Sequence, residues 1–112
     1  MLELNENQLQ QLAVLEARAY VDRIYNDIIT ETPEQNEPQL RHRLYEAYDH
    51  AVALGLRSPG ILTQFLYFEA AAPGFYKQAA VDAWLRKPGA PAEQRWTDLN
   101  AVIHTELPKE IQ

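Results

Sequence analysis

The chain has 112 residues, 46% of them hydrophobic and 23% charged, a balance that fits one soluble globular domain built on a single core. Its net charge of −6 is lopsided: residues 1–56 hold ten Asp/Glu against four Arg, while residues 57–112 hold six charges of each sign. That acidic half argues against nucleic acid as a partner, and the lack of cysteine excludes disulfides, thiolate catalysis and cysteine-based zinc sites. No apolar run approaches the roughly 18 residues a membrane helix needs, and the opening MLELNENQ is too acidic and polar for a secretory signal. The expectation is a cytoplasmic protein with no membrane contact.

Apolar spacing is helical nearly everywhere and period-two alternation is absent, so the predicted fold is all-α. The expected architecture is a compact domain of about five helices, orthogonal or bundle-like, over about residues 7–29, 38–54, 59–72, 75–86 and 92–106. The first helix, capped by Asn5 or Asn7, ends at TETPEQNEP. Leu9, Ala13, Val14, Ala17, Tyr20, Val21, Ile24, Tyr25 and Ile28 share one broad face, which is expected to meet the core. Leu12, Leu15 and Ala19 form a second, narrower seam among Gln8, Asp22 and Asn26, and that seam needs another surface to cover it.

In the second helix Pro38 suits the first turn, and Leu40, Leu44, Ala47, Tyr48, Ala51 and Leu54 make the inner stripe. Gly55 follows as the left-handed residue that ends it. Ser58 then Pro59 reads as a hydroxyl cap and a helix start, so the second and third helices form a tight corner. The third helix turns Ile61, Leu62, Phe65, Leu66, Phe68 and Ala72 inward until Pro73-Gly74 ends it. Phe75 to Arg86 is expected as one short helix. Lys87-Pro88-Gly89-Ala90-Pro91 is a breaker, and the last helix carries Trp96, Leu99, Ile103 and Leu107.

Chemistry is sparse in this pattern. His42, Glu46 and His50 stand at i, i+4 and i+8 beside Asp49, a spacing that permits a zinc or manganese site. All four project away from Leu40, Leu44 and Ala51, so a solvated face with i, i+4 ion pairs is the preferred reading, and no metal or other cofactor is expected. His104 has no motif around it. Ser58 is the only serine and is already used as a cap, and the four glycines form no phosphate-binding loop. Glu69 alone places a carboxylate inside an apolar arc, between Leu62, Phe65 and Leu66. A general acid is one reading, and a structural Glu held by an arginine or a tyrosine hydroxyl is the preferred one. Among the aromatics, Tyr45, Tyr67 and Trp84 project outward or to the helix edges, where they serve either as interface anchors or as lids on the edge of the core.

The run RHRLYEAYDHAVALGLRSPGILTQFLYFEAAAPGFYKQAAVDAWL resembles small helical accessory proteins encoded in bacterial type VI secretion effector clusters, beside VgrG/PAAR spike, effector and chaperone genes. The matching positions are Ala51, Leu54-Gly55-Leu56, Ser58, Phe65, Phe68, Gly74, Phe75 and Trp84-Leu85, and PAEQRWTDLNAV resembles the helix that follows. Tyr76-Lys77 stands where that pattern often has an aspartate, and the first helix is longer and more apolar than the pattern requires. The resemblance implies a non-enzymatic co-chaperone or adaptor that helps load an effector. Its partner would be an effector chaperone, an effector or a spike protein. An immunity protein that neutralises a toxin is the alternative, in keeping with the acidic half. A homodimer through the second seam is open under either reading.

Overall fold

The computed structural model describes residues 5–106, apart from the side chains of Gln10 and residues 102–106. The side chains of Ile103 and His104, and Leu107 itself, lie outside the described residues. Five α-helices follow one another: α1 Glu6–Glu31, α2 Leu40–Leu54, α3 Pro59–Ala71, α4 Ala79–Arg86 and α5 Ala92–Glu106. Single 3-10 turns at Pro33–Gln35 and Phe75–Lys77 join them, and there is no strand among the described residues. The fold is all-α. No helix among these residues is long and apolar enough to cross a membrane.

Local chemistry sets each end. Asn5 caps α1 by a reciprocal pair: its Oδ1 accepts from Gln8 N at 2.8 Å, and Gln8 Oε1 accepts from Asn5 N at 3.0 Å. Helix α2 starts two residues later than Pro38 promises, because Glu37 turns back to accept from Gln39 N at 2.8 Å and holds Pro38-Gln39 in a turn. Gly55 ends α2 as expected, with φ +103°, its N–H on Val52 O at 3.0 Å and Leu56 N–H on Ala51 O at 3.0 Å. That closure buries Leu56 in the core.

Two expected features differ. The helix foreseen over Phe75–Arg86 is split, because Gln78 is extended (φ −66°, ψ 138°) between the 3-10 turn and α4. Ser58 sits at the start of α3, yet its hydroxyl does not cap that helix. It donates instead to Glu93 Oε1 at 3.0 Å, while Glu93 Oε2 accepts the N–H groups of Arg57 at 2.8 Å and Ser58 at 2.6 Å. A carboxylate from α5 therefore serves the donors at the α2–α3 corner, and these three bonds hold the Glu93 carboxyl below its usual range, the Ser58 N–H contributing most.

The core has two connected parts. Val21, Ile24 and Ile28 of α1 pack with Leu40, Leu44, Ala47 and Ala51 of α2. Beside them Phe65 of α3 lies at the centre of a ring cluster, 5.0 Å from Phe75, 5.4 Å from Tyr76 and 5.2 Å from Trp96 between centroids. The buried indole of Trp96 satisfies its N–H on Gln64 Oε1 at 2.8 Å. Phe65 of α3 is fully buried against both the 3-10 turn and α5, so Phe65→Ala opens a cavity where α3, α5 and the 3-10 turn meet. The expected loss is about 3–5 kcal/mol of unfolding free energy, read from urea melts.

Candidate protein-docking surface

Every residue from Asn5 to Glu16 whose burial is described is exposed. Among the described residues this stretch holds the four most exposed large hydrophobic side chains: Leu9 at 53%, Leu12 at 44%, Val14 at 52% and Leu15 at 63%. Leu12 and Leu15 lie on the seam that needed a cover. Leu9, Ala13 and Val14 belong to the face expected in the core, and there the expectation fails.

Helix lengths explain the failure. At 1.5 Å per residue α1 is about 39 Å long, whereas α2 is about 22 Å and α3 about 20 Å. Helix α2 starts beside the C-terminal end of α1 and runs back along it, bringing Tyr48 against Tyr20 at 6.0 Å between ring centroids. The α2–α3 corner then crosses at Tyr20, whose hydroxyl bonds Pro59 O at 2.9 Å and Thr63 Oγ1. Past that point α1 faces Val52, Leu56 and Leu62 only across an open cleft, as far as Ala13 and Val14, and among the described residues its first turns extend beyond the helices that cover the rest of it.

Where the overhang leaves the body, a half-open cleft of about 530 Å³ lies between Val14 and Ala17 of α1, Tyr48 and Val52 of α2, and Leu56 and Leu62 beyond it. Arg18, Asp49 and Arg57 also line it. A floor of apolar side chains with a few charges at the edge suits the apolar side chains of another molecule.

The other sequence candidates fall elsewhere. Tyr45 borders the cleft but is pinned: its hydroxyl donates to Asp22, Arg41 Nε donates to both Asp22 Oδ1 (2.9 Å) and the Tyr45 oxygen (3.2 Å), and Arg18 lies 5.2 Å over its ring. The Arg41 and Tyr45 bonds hold the Asp22 carboxyl below its usual range. Tyr67 donates to Glu31 Oε2 at 3.0 Å, at the far end of α1 from the overhang. Trp84 donates its indole N–H to Arg95 O at 2.9 Å and lies between the Lys87 and Arg95 cations at 5.4 and 5.6 Å, binding α4 to α5. All three are half-buried ties at the edge of the core. Ala19 is exposed on the seam, immediately before Tyr20.

His42 and Glu46 form an exposed i, i+4 pair at 3.3 Å, as the solvated-face reading has it. His50 departs from that reading. Its ring packs on Tyr76 at 4.5 Å, and its Nε2 is buried without a hydrogen-bond partner. Among the described residues no group of three or more His, Asp or Glu side chains is placed to hold a metal ion.

Glu69 is 2% exposed and held on both oxygens. Arg43 Nη1 donates to Oε2 at 2.9 Å and to the Glu69 carbonyl at 3.0 Å, while Gly74 N–H donates to Oε1 at 3.0 Å. Burial pushes the carboxyl above its usual range, against the pull of Gly74 and Arg43. Both oxygens face inward to structural donors, and of the two partners the sequence left open, an arginine or a tyrosine hydroxyl, the structure has the arginine. No family model matches the chain, and no characterised protein or solved structure is detectably similar to it.

Two measurements follow from these placements. Glu69→Gln removes the buried counter-charge of Arg43 and leaves it only the more exposed Glu37, so unfolding free energy should fall by about 2–3 kcal/mol in urea melts, below the full buried-pair value because Arg43 keeps that partner and some contact with water. An unchanged midpoint would refute the clamp. For His50, burial first, then Arg86 and Lys77, hold the imidazole below 6.5, with Asp82 opposing. The folded chain then binds fewer protons at this site than the unfolded chain. Its stability contribution is complete above pH 6.5 and declines as the pH falls through that value towards the folded pKa. Urea melts at stepped pH should show this slope in the native protein and a flatter one in His50→Gln.

Proposed function

We propose that this chain is a non-enzymatic protein-binding accessory factor, a co-chaperone or adaptor that assists loading of a type VI secretion effector and works in the cytoplasm. The observation that carries the binding role is the overhanging half of α1, where Leu9, Leu12, Val14 and Leu15 stay exposed beside an apolar cleft. Large apolar side chains concentrated in one free-standing stretch mark a surface that another protein covers. The resemblance of roughly residues 40–102 to accessory proteins of effector clusters supplies the setting: an effector chaperone, an effector or a spike protein as partner.

A second reading has its own support. Ten of the sixteen acidic residues lie in residues 1–56, and an acidic surface suits an immunity protein that occludes a basic toxin. Co-expression with the neighbouring toxin separates the two, since rescue of growth belongs to immunity and continued killing does not.

The binding role is tested by Leu12→Asp with Leu15→Asp. Each exposed leucine contributes about 1.5–3 kcal/mol once covered, so the double variant should bind its chaperone, effector or spike partner at least roughly 100-fold more weakly by calorimetric titration. Its thermal melt should match the native one, because neither side chain reaches the core. Equal affinity in a well-folded double variant would remove α1 from the binding surface.

A further inference from the structure

We infer that the cleft between α1 and the α2–α3 corner is a peptide site, and that it takes a segment of a partner protein in which large apolar side chains stand beside an Asp or Glu. This rests on the protein-binding reading above and adds where one contact is made and what chemistry it selects.

The cleft is a surface distinct from the outer stripe of the overhang. At about 100° per residue Leu12 points about 180° from Val21, so Leu9, Leu12 and Leu15 face away from the body while Val14, Ala17 and Val21 face the cleft. At about 530 Å³ the cleft falls within the roughly 300–1,000 Å³ of ligand-binding sites. It is half open, so side chains can enter it from a segment that lies across its mouth.

Its walls are set before anything binds. Val21 and Leu56 are held in the core, and the Glu93 carboxylate fixes the Arg57 N–H at 2.8 Å. Arg18 lies 5.2 Å over the ring of Tyr45, whose hydroxyl is tied to Asp22. A site whose walls are already ordered loses less conformational entropy on binding.

Charge selects the occupant. Arg41 and Arg43 are in ion pairs, but Arg18 and Arg57, which line the cleft, are in none among the described residues. Tyr48 lines it too, and its hydroxyl has no hydrogen-bond partner among the described residues. Two guanidinium groups and a phenol are donors to a carboxylate, which arginine can hold by paired N–H groups. Asp49 is the one acidic side chain in the lining, so an incoming Lys or Arg would meet two cations against one anion. The overhang of a second copy carries leucines with Glu6 and Glu16, but its stripe and its cleft lie on opposite faces of α1. Two copies therefore cannot return the contact to each other, and the pairing would run on as an open chain, with −6 against −6 at each step.

The test selects random phage-displayed peptides on the purified full-length chain and measures the selected sequences, as synthetic peptides, by fluorescence anisotropy. The expected sequences combine large apolar residues with Asp or Glu. Their affinity should fall roughly three- to tenfold in Arg18→Gln with Arg57→Gln, and at least roughly tenfold in Val52→Asp, which puts a carboxylate into the apolar wall. Leu12→Asp with Leu15→Asp should leave it unchanged. Arg18 and Arg57 are exposed, so the charge comparison holds even where Val52→Asp lowers stability. Sequences with no acidic preference, or indifferent to the arginine pair, would overturn the anionic partner. Peptides lost in the Leu12/Leu15 variant and kept in Val52→Asp would overturn the cleft and move the contact to the outer stripe, with the protein-binding reading intact. Self-association of the chain that Val52→Asp abolishes would overturn the foreign partner and make the occupant a second copy. Failure to enrich any sequence would overturn the peptide site, while calorimetry of the Leu12/Leu15 variant still judges the protein-binding reading itself.

Discussion

The Glu69 carboxylate is the contact on which the arrangement of α2, α3 and the ring cluster depends. One oxygen takes the Gly74 N–H, which fixes the left-handed residue after α3 and sends Phe75 and Tyr76 back towards Phe65. The other takes Arg43, which also grips the Glu69 carbonyl and reaches Glu37 at 3.0 Å in the turn before α2. Two segments distant in sequence, residues 37–43 and 69–74, are thus fixed by one buried ion pair and its hydrogen bonds. Replacing such a pair with apolar groups often leaves stability unchanged, so its value here lies in specifying one geometry: neither oxygen is satisfied if the turn at Gly74 or the register of α2 against α3 shifts.

A parallel device holds the other corner. Glu93 gathers two backbone N–H groups and the Ser58 hydroxyl, and so docks α5 where α2 turns into α3. Arg95, two residues on, donates to Lys87 O at 3.3 Å and Pro88 O at 2.7 Å and supports the Trp84 ring. Acidic and basic side chains of α5 thus hold the loops on either side of it, while Trp96 between them fills the core. Side chains that interrupt the apolar pattern of these helices fix the loops to the core, which suits a small domain with little apolar area to spare.

How much of this could be read in advance depended on the range of the interaction. Gly55 and its closure were legible because a left-handed helix end is decided by residues within one turn. The stripe of Leu40, Leu44, Ala47 and Ala51 was legible because periodicity records it directly. The inward carboxylate of Glu69 could be placed from its neighbours on α3, and its need for an arginine or a tyrosine hydroxyl followed from burial, but which of them answers it did not, because Arg43 lies 26 residues away. Ser58 misled for the same reason: a local cap was the natural use of its hydroxyl, and a carboxylate 35 residues on gave it a better partner. Gln78 gave no local warning that it would divide Phe75–Arg86, since no proline or glycine marks the break.

The candidate surface was half legible. Leu12 and Leu15 stood out as a seam without a cover, but Val14 and Leu9 looked like core because periodicity assigns a residue to a face and is silent on whether a neighbour reaches that far along the helix. The missing signal was length: 26 residues of α1 against 15 of α2 and 13 of α3. Once the helices are laid side by side, the part of α1 beyond Ala17 is clamped by Val21, Ile24 and Ile28, and the described side chains before it are exposed. That division separates the demands on the molecule. Substitutions before Ala17 test the proposed binding surface without touching the core, while Glu69, Arg43 and Phe65 can be judged by stability alone. A fold with both demands on the same residues would confound the two, and here the unequal helix lengths keep them apart.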